Sequence, residues 1–153
     1  MSFSSTAIFT AISNLSISGV TVKDLTAIPQ AGDETICPIL FPNPDGCVSG
    51  ANGEPSDGPT TFGPATGRMW QFNRTYELIY LHCQVGAGGL SDFYSAMCSK
   101  SDAIIHALVE LDITDVDVQT VTIGKFGALQ DPSNKYFHGF TVSVTMRERI
   151  NND

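Results

Sequence analysis

The stretch WQFNRTYELIYLHCQVGAGGLSDFYSAMCSKSDAIIHALVEL, residues Trp70 to Leu111, decides the fold. Trp70 to Val85 reads as a long strand, the Gly86-Ala87-Gly88-Gly89 run breaks it, and Ser91 to Leu111 reads as the longest helix. Side chains alternate across a strand. Tyr76, Leu78 and Tyr80 therefore share one face, and Ile79, Leu81, Cys83 and Val85 share the other. Both faces need cover, as in a strand at the centre of its sheet. Met97, Ile104, Ile105, Leu108 and Leu111 form one apolar stripe at helical spacing, so the helix covers one side. The cover for the other side must come from elsewhere.

Outward from this unit, Ser4 or Ser5 caps a first helix with Ile8, Ile12 and Leu15 on its apolar face, ended by Gly19. Val20 to Ile28 and Thr35 to Phe41 read as strands that pair as a hairpin. Pro38 cannot donate to a ladder, which places the second strand at an edge or a bulge. Residues 42 to 69 read as a long inserted loop. Pro42 to Gly67 holds five of the eight prolines and six of the fourteen glycines, and shows no periodicity. A loop of that length inside one domain is uncommon unless it has a task. Val116 to Phe126 reads as a strand whose apolar parity changes between Val118 and Val121, the mark of a bulge or of a second two-sided strand. Gly127 to Lys135 reads as a hairpin loop. In the last strand, Tyr136 to Arg149, Phe140, Val142, Val144 and Met146 face in while Thr141, Ser143 and Thr145 face out.

The expected architecture is α+β: one domain over residues 1–153, with a mostly antiparallel sheet of about four to five strands, two helices on one face and the long Pro/Gly-rich loop. The length of 153 residues suits one core. A formal net charge of −8 argues against a surface that grips phosphates, which requires clustered Lys and Arg. No signal peptide and no membrane span is evident. Of the four cysteines, Cys37 and Cys47 are the pair whose flanking sequence would permit a bridge, but nothing marks the chain as secreted.

The residues carry little sign of chemistry. The Gly86 turn lacks the third glycine of a dinucleotide fingerprint, since position 91 is serine. His82, His106 and His138 have no metal-ligand spacing and read as core or surface residues. Asp112, Asp115 and Asp117 read as a solvated turn, without the glycine and glutamate of a calcium loop. No catalytic residue, cofactor or metal is expected. Arg147 and Arg149 alternate with Glu148 and so share one face, as groups suited to a carboxylate on another subunit. Phe62 and Trp70, with Arg68 beside them, are the expected anchors of the long loop at a subunit interface.

The order of these elements resembles the tail terminator proteins of long-tailed, siphovirus-like bacteriophages. The similarity lies in the short first helix, the strand pair and insertion, the aromatic strand Tyr76 to Val85, the long helix Ser91 to Leu111, and the closing pair ending in Phe140-Thr141-Val142-Ser143-Val144-Thr145-Met146-Arg147. It covers most of the chain apart from residues 42 to 69. The resemblance implies a structural virion protein, assembled in the host cytoplasm. It would form a ring, typically a hexamer, that caps the tail tube, joins it to the neck or head-completion protein, and lets DNA pass without specific binding. A neighbouring neck or tail-tube protein fits the same texture. The rivals from other classes are a small nucleotide-binding enzyme or hydrolase built on the Gly86 turn, and a monomeric adaptor using residues 42 to 69.

Overall fold

The computed structural model describes residues 5–30, 35–55, 69–86 and 90–151. They form two helices and a seven-stranded mixed sheet, mostly antiparallel. Helix α1 spans Ser5–Ser13. Strand β1 (Thr21–Val22) and a short 3₁₀ turn (Leu25–Ala27) lead to β2 (Ile39–Pro42) and β3 (Val48–Pro55). Strand β4 (Met69–Gln84), helix α2 (Leu90–Val109), β5 (Val116–Ile123), β6 (Gly127–Gln130) and β7 (Tyr136–Asn151) complete the chain.

The seven strands lie in five rows. The main path is β1-β2-β4-β7-β5; β3 continues the β2 row along β4, and β6 continues the β5 row along β7. The row of β2 and β3 is interrupted by an excursion at residues 43–47. There Asn43 N donates to Glu77 O and Glu77 N donates to Cys47 O, both at 2.9 Å, so one residue of β4 faces five. The sheet thus has seven strands rather than the expected four to five, because two of its five rows are each broken into two strands.

Strands β4 and β7 run antiparallel along their length, from Met69↔Asn151 to Gln84↔Phe137, with one bulge at His82. They form the centre of the sheet, as the apolar pattern on both faces of β4 required. Strand β5 is antiparallel to β7 and therefore parallel to β4. A parallel return needs a crossover rather than a tight turn, and α2 supplies it.

The helix-side core joins Ile8, Phe9 and Ile12 of α1 and Ile104 and Leu108 of α2 to Tyr76, Leu78 and Tyr80 of β4 and Phe140, Val142, Val144 and Met146 of β7. Both helices thus lie on one face. The bulge in β5 between Val118 and Thr120 brings Val116, Val118, Val121 and Ile123 onto this same side. A smaller core on the other face holds Ile39, Phe41, Ile79, Leu81 and Phe137, with Ile28, Cys37 and Leu129 against it. The chain itself covers that face here.

Several boundaries differ from the sequence reading. The strand expected over Val20 to Ile28 is confined to Thr21–Val22, because Asp24 accepts from Thr26 N at 2.9 Å and from the Thr26 hydroxyl at 2.7 Å and caps a 3₁₀ turn. It pairs with β2 in parallel, not as a hairpin. Pro38 precedes β2, and its carbonyl accepts from Thr21 N at 3.1 Å; no ladder donor is lost. Val48 to Pro55, expected within the loop, is a strand on β4. Gly127 to Gln130, expected in a hairpin loop, is strand β6, so the loop shrinks to residues 131–135. Residues 56–68 of the long loop lie outside the described residues.

Gly139 has the tightest surroundings of the described glycines. A Cβ there would overlap the Tyr80 carbonyl across the β4–β7 ladder. Leu108, fully buried under α2, tests the helix face. Leu108→Ala should cost about 2–5 kcal/mol in chemical denaturation; an unchanged midpoint would mean that the helix packs by another face.

Candidate subunit interface

The long central strands position every candidate interface residue that is described. Strand β4 has 16 residues, about 53 Å at ~3.3 Å per residue. Helix α2 has 20, about 30 Å at ~1.5 Å per residue. The helix therefore cannot cover the strand end to end. Beyond the small second core, the face turned away from the helices carries Gln71, Asn73, Thr75 and Glu77 from β4. From β7 it carries Thr141, Ser143, Thr145, Arg147 and Arg149, and from β5 Asp117, Thr120 and Thr122. These side chains are half-buried or exposed. Thr75 and Thr145 share a hydrogen bond of 3.1 Å across the ladder.

Arg147 and Arg149 fall on this open face, as their alternation implied, near its far end. Arg147 stands opposite Asn73 on one side and Asp117 on the other. Its Nε is buried and makes no hydrogen bond. Arg149 pairs with Asp117 at 3.0 Å, and its backbone N–H donates to Asp115 O at 2.9 Å. Trp70 lies half-buried opposite Ile150 and Pro55. It shares strand parity with Tyr76 and so projects from the helix side. The structure thus puts Trp70 and the two arginines at one end of the sheet but on opposite faces. Phe62 and Arg68 lie outside the described residues.

One charged cluster went unread in the sequence. Glu148 is buried on the helix side, where the Tyr76 hydroxyl donates to its Oε1 at 2.8 Å and Arg74 Nε stands 3.8 Å from its Oε2. Burial raises the Glu148 pKa, while the Tyr76 hydrogen bond and Arg74 oppose that shift. Burial, then the hydrogen bond to Glu148, raises that of Tyr76. The signal was present: Glu148 continues the inward parity of Phe140, Val142, Val144 and Met146.

The histidines take separate places. His106 is exposed and lies 3.2 Å from Glu110, one turn on. His82 shares a 2.8 Å hydrogen bond with the Tyr80 hydroxyl, and its ring packs on Phe93, which also meets His138. His138 is buried with both ring nitrogens lacking a hydrogen-bond partner. All four cysteines are free. Cys37 packs against the small core and Cys47 against the helix-side core, on opposite faces of the sheet. Burial pushes the Cys37 thiol up to about 11, with Cys83 and Asp131 adding to the shift.

Among the described residues, no three His, Cys, Asp or Glu side chains are grouped to hold a metal, and no helix is long and apolar enough to cross a membrane. A cavity of about 520 Å³ lies between β1 and Thr35–Ile39, with Lys23 as its one charged lining residue among those described. Another, of about 340 Å³, is lined by Asp131 and Asn134. Asp131 is already engaged by Ser133 N, Lys135 N and the Thr35 hydroxyl. The acidic turn serves the fold: Asp115 adopts a left-handed φ of 63° and supplies the carbonyl for Arg149. No protein-family model matches this chain, and none of the curated proteins is similar to it in sequence.

Burial, then the positive charge of Lys100, then His138 lower the His82 pKa. The unfolded chain takes up that proton near pH ~6.5 while the folded chain resists it, so stability falls as pH drops below that value toward the lower folded-state pKa. The melting temperature should drop between pH 7.5 and 5.5, and drop less in His82→Gln. Parallel curves for the two proteins would exclude His82 as a source of the acid sensitivity.

Proposed function

We propose that this chain is a structural virion protein that assembles into a ring closing a phage tail tube at the neck. The observation that carries this reading is the two-sided sheet. One face is buried under both helices. Among the described residues the other is buried around Ile39, Phe41, Ile79, Leu81 and Phe137, and continues as a polar, partly exposed surface along 16-residue strands. Thr, Ser, Asn and Arg in such a row suit contact with another folded surface through hydrogen bonds and charge.

The element order supports the same reading. A short first helix, a long aromatic strand, a long crossover helix and a closing antiparallel pair are the features on which the resemblance to tail terminators rests. The ring joins the tail tube below to a neck or head-completion protein above, and DNA passes through its lumen. A net charge of −8 disfavours retention of DNA at the wall. A neighbouring ring of the neck would use the same surface.

Light scattering and negative-stain imaging of the purified chain, alone and with isolated tail tubes, test this. Closed rings, or particles seated at tube ends, are expected. A protein that stays monomeric at tens of micromolar and never joins a tube would overturn it.

A further inference from the structure

Charge is unevenly placed at the far end of the sheet. On the open face Arg147 and Arg149 stand two residues apart on β7. Asp117 neutralises Arg149 at 3.0 Å. Arg147 has no ion pair among the described residues, and its Nε lacks a hydrogen bond. An arginine held in that state, with Asn73 and Asp117 as its cross-strand neighbours, favours a second carboxylate.

The matching charge lies at the same end on the helix side. Helix α2 finishes at Val109 and is followed by Glu110 and Asp112, both exposed. The connector then turns through Ile113 and Asp115 into β5, whose first residue stands opposite Glu148. Among the described residues, Glu110 has the exposed His106 as its ion-pair partner. The basic and acidic groups thus occupy the same end of one sheet but opposite faces.

We infer that the acidic corner Glu110–Asp112 of one copy docks on Arg147 on the open sheet face of the next. Two complementary patches on opposite faces cannot satisfy each other within one chain. They also do not form an isologous pair, in which a patch meets itself. They join head to tail, the arrangement that closes into a ring when the rotation between copies permits. This rests on the ring reading above and adds to it which surfaces meet. The neighbour's carboxylate supplies the ion pair that Arg147 lacks among the described residues, meeting the guanidinium from outside since its Nε is buried, and the Thr and Ser rows beside it provide hydrogen-bonding groups around the contact.

A charge swap tests it. Arg147→Glu, and separately Glu110→Lys with Asp112→Lys, should each weaken assembly by about tenfold or more, read as the ring-to-monomer midpoint in native mass spectrometry. Combining all three changes in one chain should restore most of the loss. Arg147→Gln, which keeps a polar side chain without charge, should give an intermediate loss and guards against misfolding of the reversal. Circular dichroism and melting of each variant should match the starting protein. Rings that persist unchanged in Arg147→Gln and Arg147→Glu, or a combined variant no better than its parents, would overturn this contact while leaving the ring reading standing. A starting protein that never assembles would overturn both.

Discussion

The structure depends on the antiparallel ladder between β4 and β7. Every other row pairs with one of these two strands or with a strand that does, and both helices rest on their shared inner face. The ladder demands a close approach at one point. Gly139 is the residue that lets the β7 backbone pass the Tyr80 carbonyl, one step from the bulge at His82. That bulge gathers His82, His138 and Phe93 where the first turns of α2 meet the sheet. The fit between crossover helix and sheet therefore starts from one irregularity in one ladder.

Much of this was legible in the residues. The alternation in β4 separates Tyr76, Leu78 and Tyr80 from Ile79 and Leu81, and the two groups fall in two different cores. The α2 stripe buries Met97, Ile104 and Leu108 completely. What was hidden lacks a side-chain signature. Strand β3 contains Gly50 and Gly53 and ends at Pro55; its backbone hydrogen bonds to β4 hold it, and they leave no periodicity in the sequence. The parallel pairing of β1 was hidden because two residues are too few to show a pattern and the capped 3₁₀ turn redirects the chain.

The candidate interface was legible in part for the same reason. Parity placed Arg147 and Arg149 together, because alternation is strict in a strand. The burial of Glu148 between them followed from that rule as well, yet a charge inside a core reads as surface until Tyr76 and Arg74 are seen beside it. The opposition of Trp70 to the arginines depends on a register that no single strand reveals.

The broken outer rows have a consequence for growth of the sheet. An uninterrupted outer strand is a template on which another chain can add itself indefinitely. Here the β2–β3 row is broken by the excursion at residues 43–47, β1 is two residues long, and the β5–β6 row bends at its bulge and is interrupted between Ile123 and Gly127. Each margin is short or interrupted by a bulge, features that blunt edge-to-edge pairing. Short, bent margins of this kind discourage growth of the sheet along its strands and leave its faces, where side-chain identity decides the partner, as the surfaces on which contact can be specific.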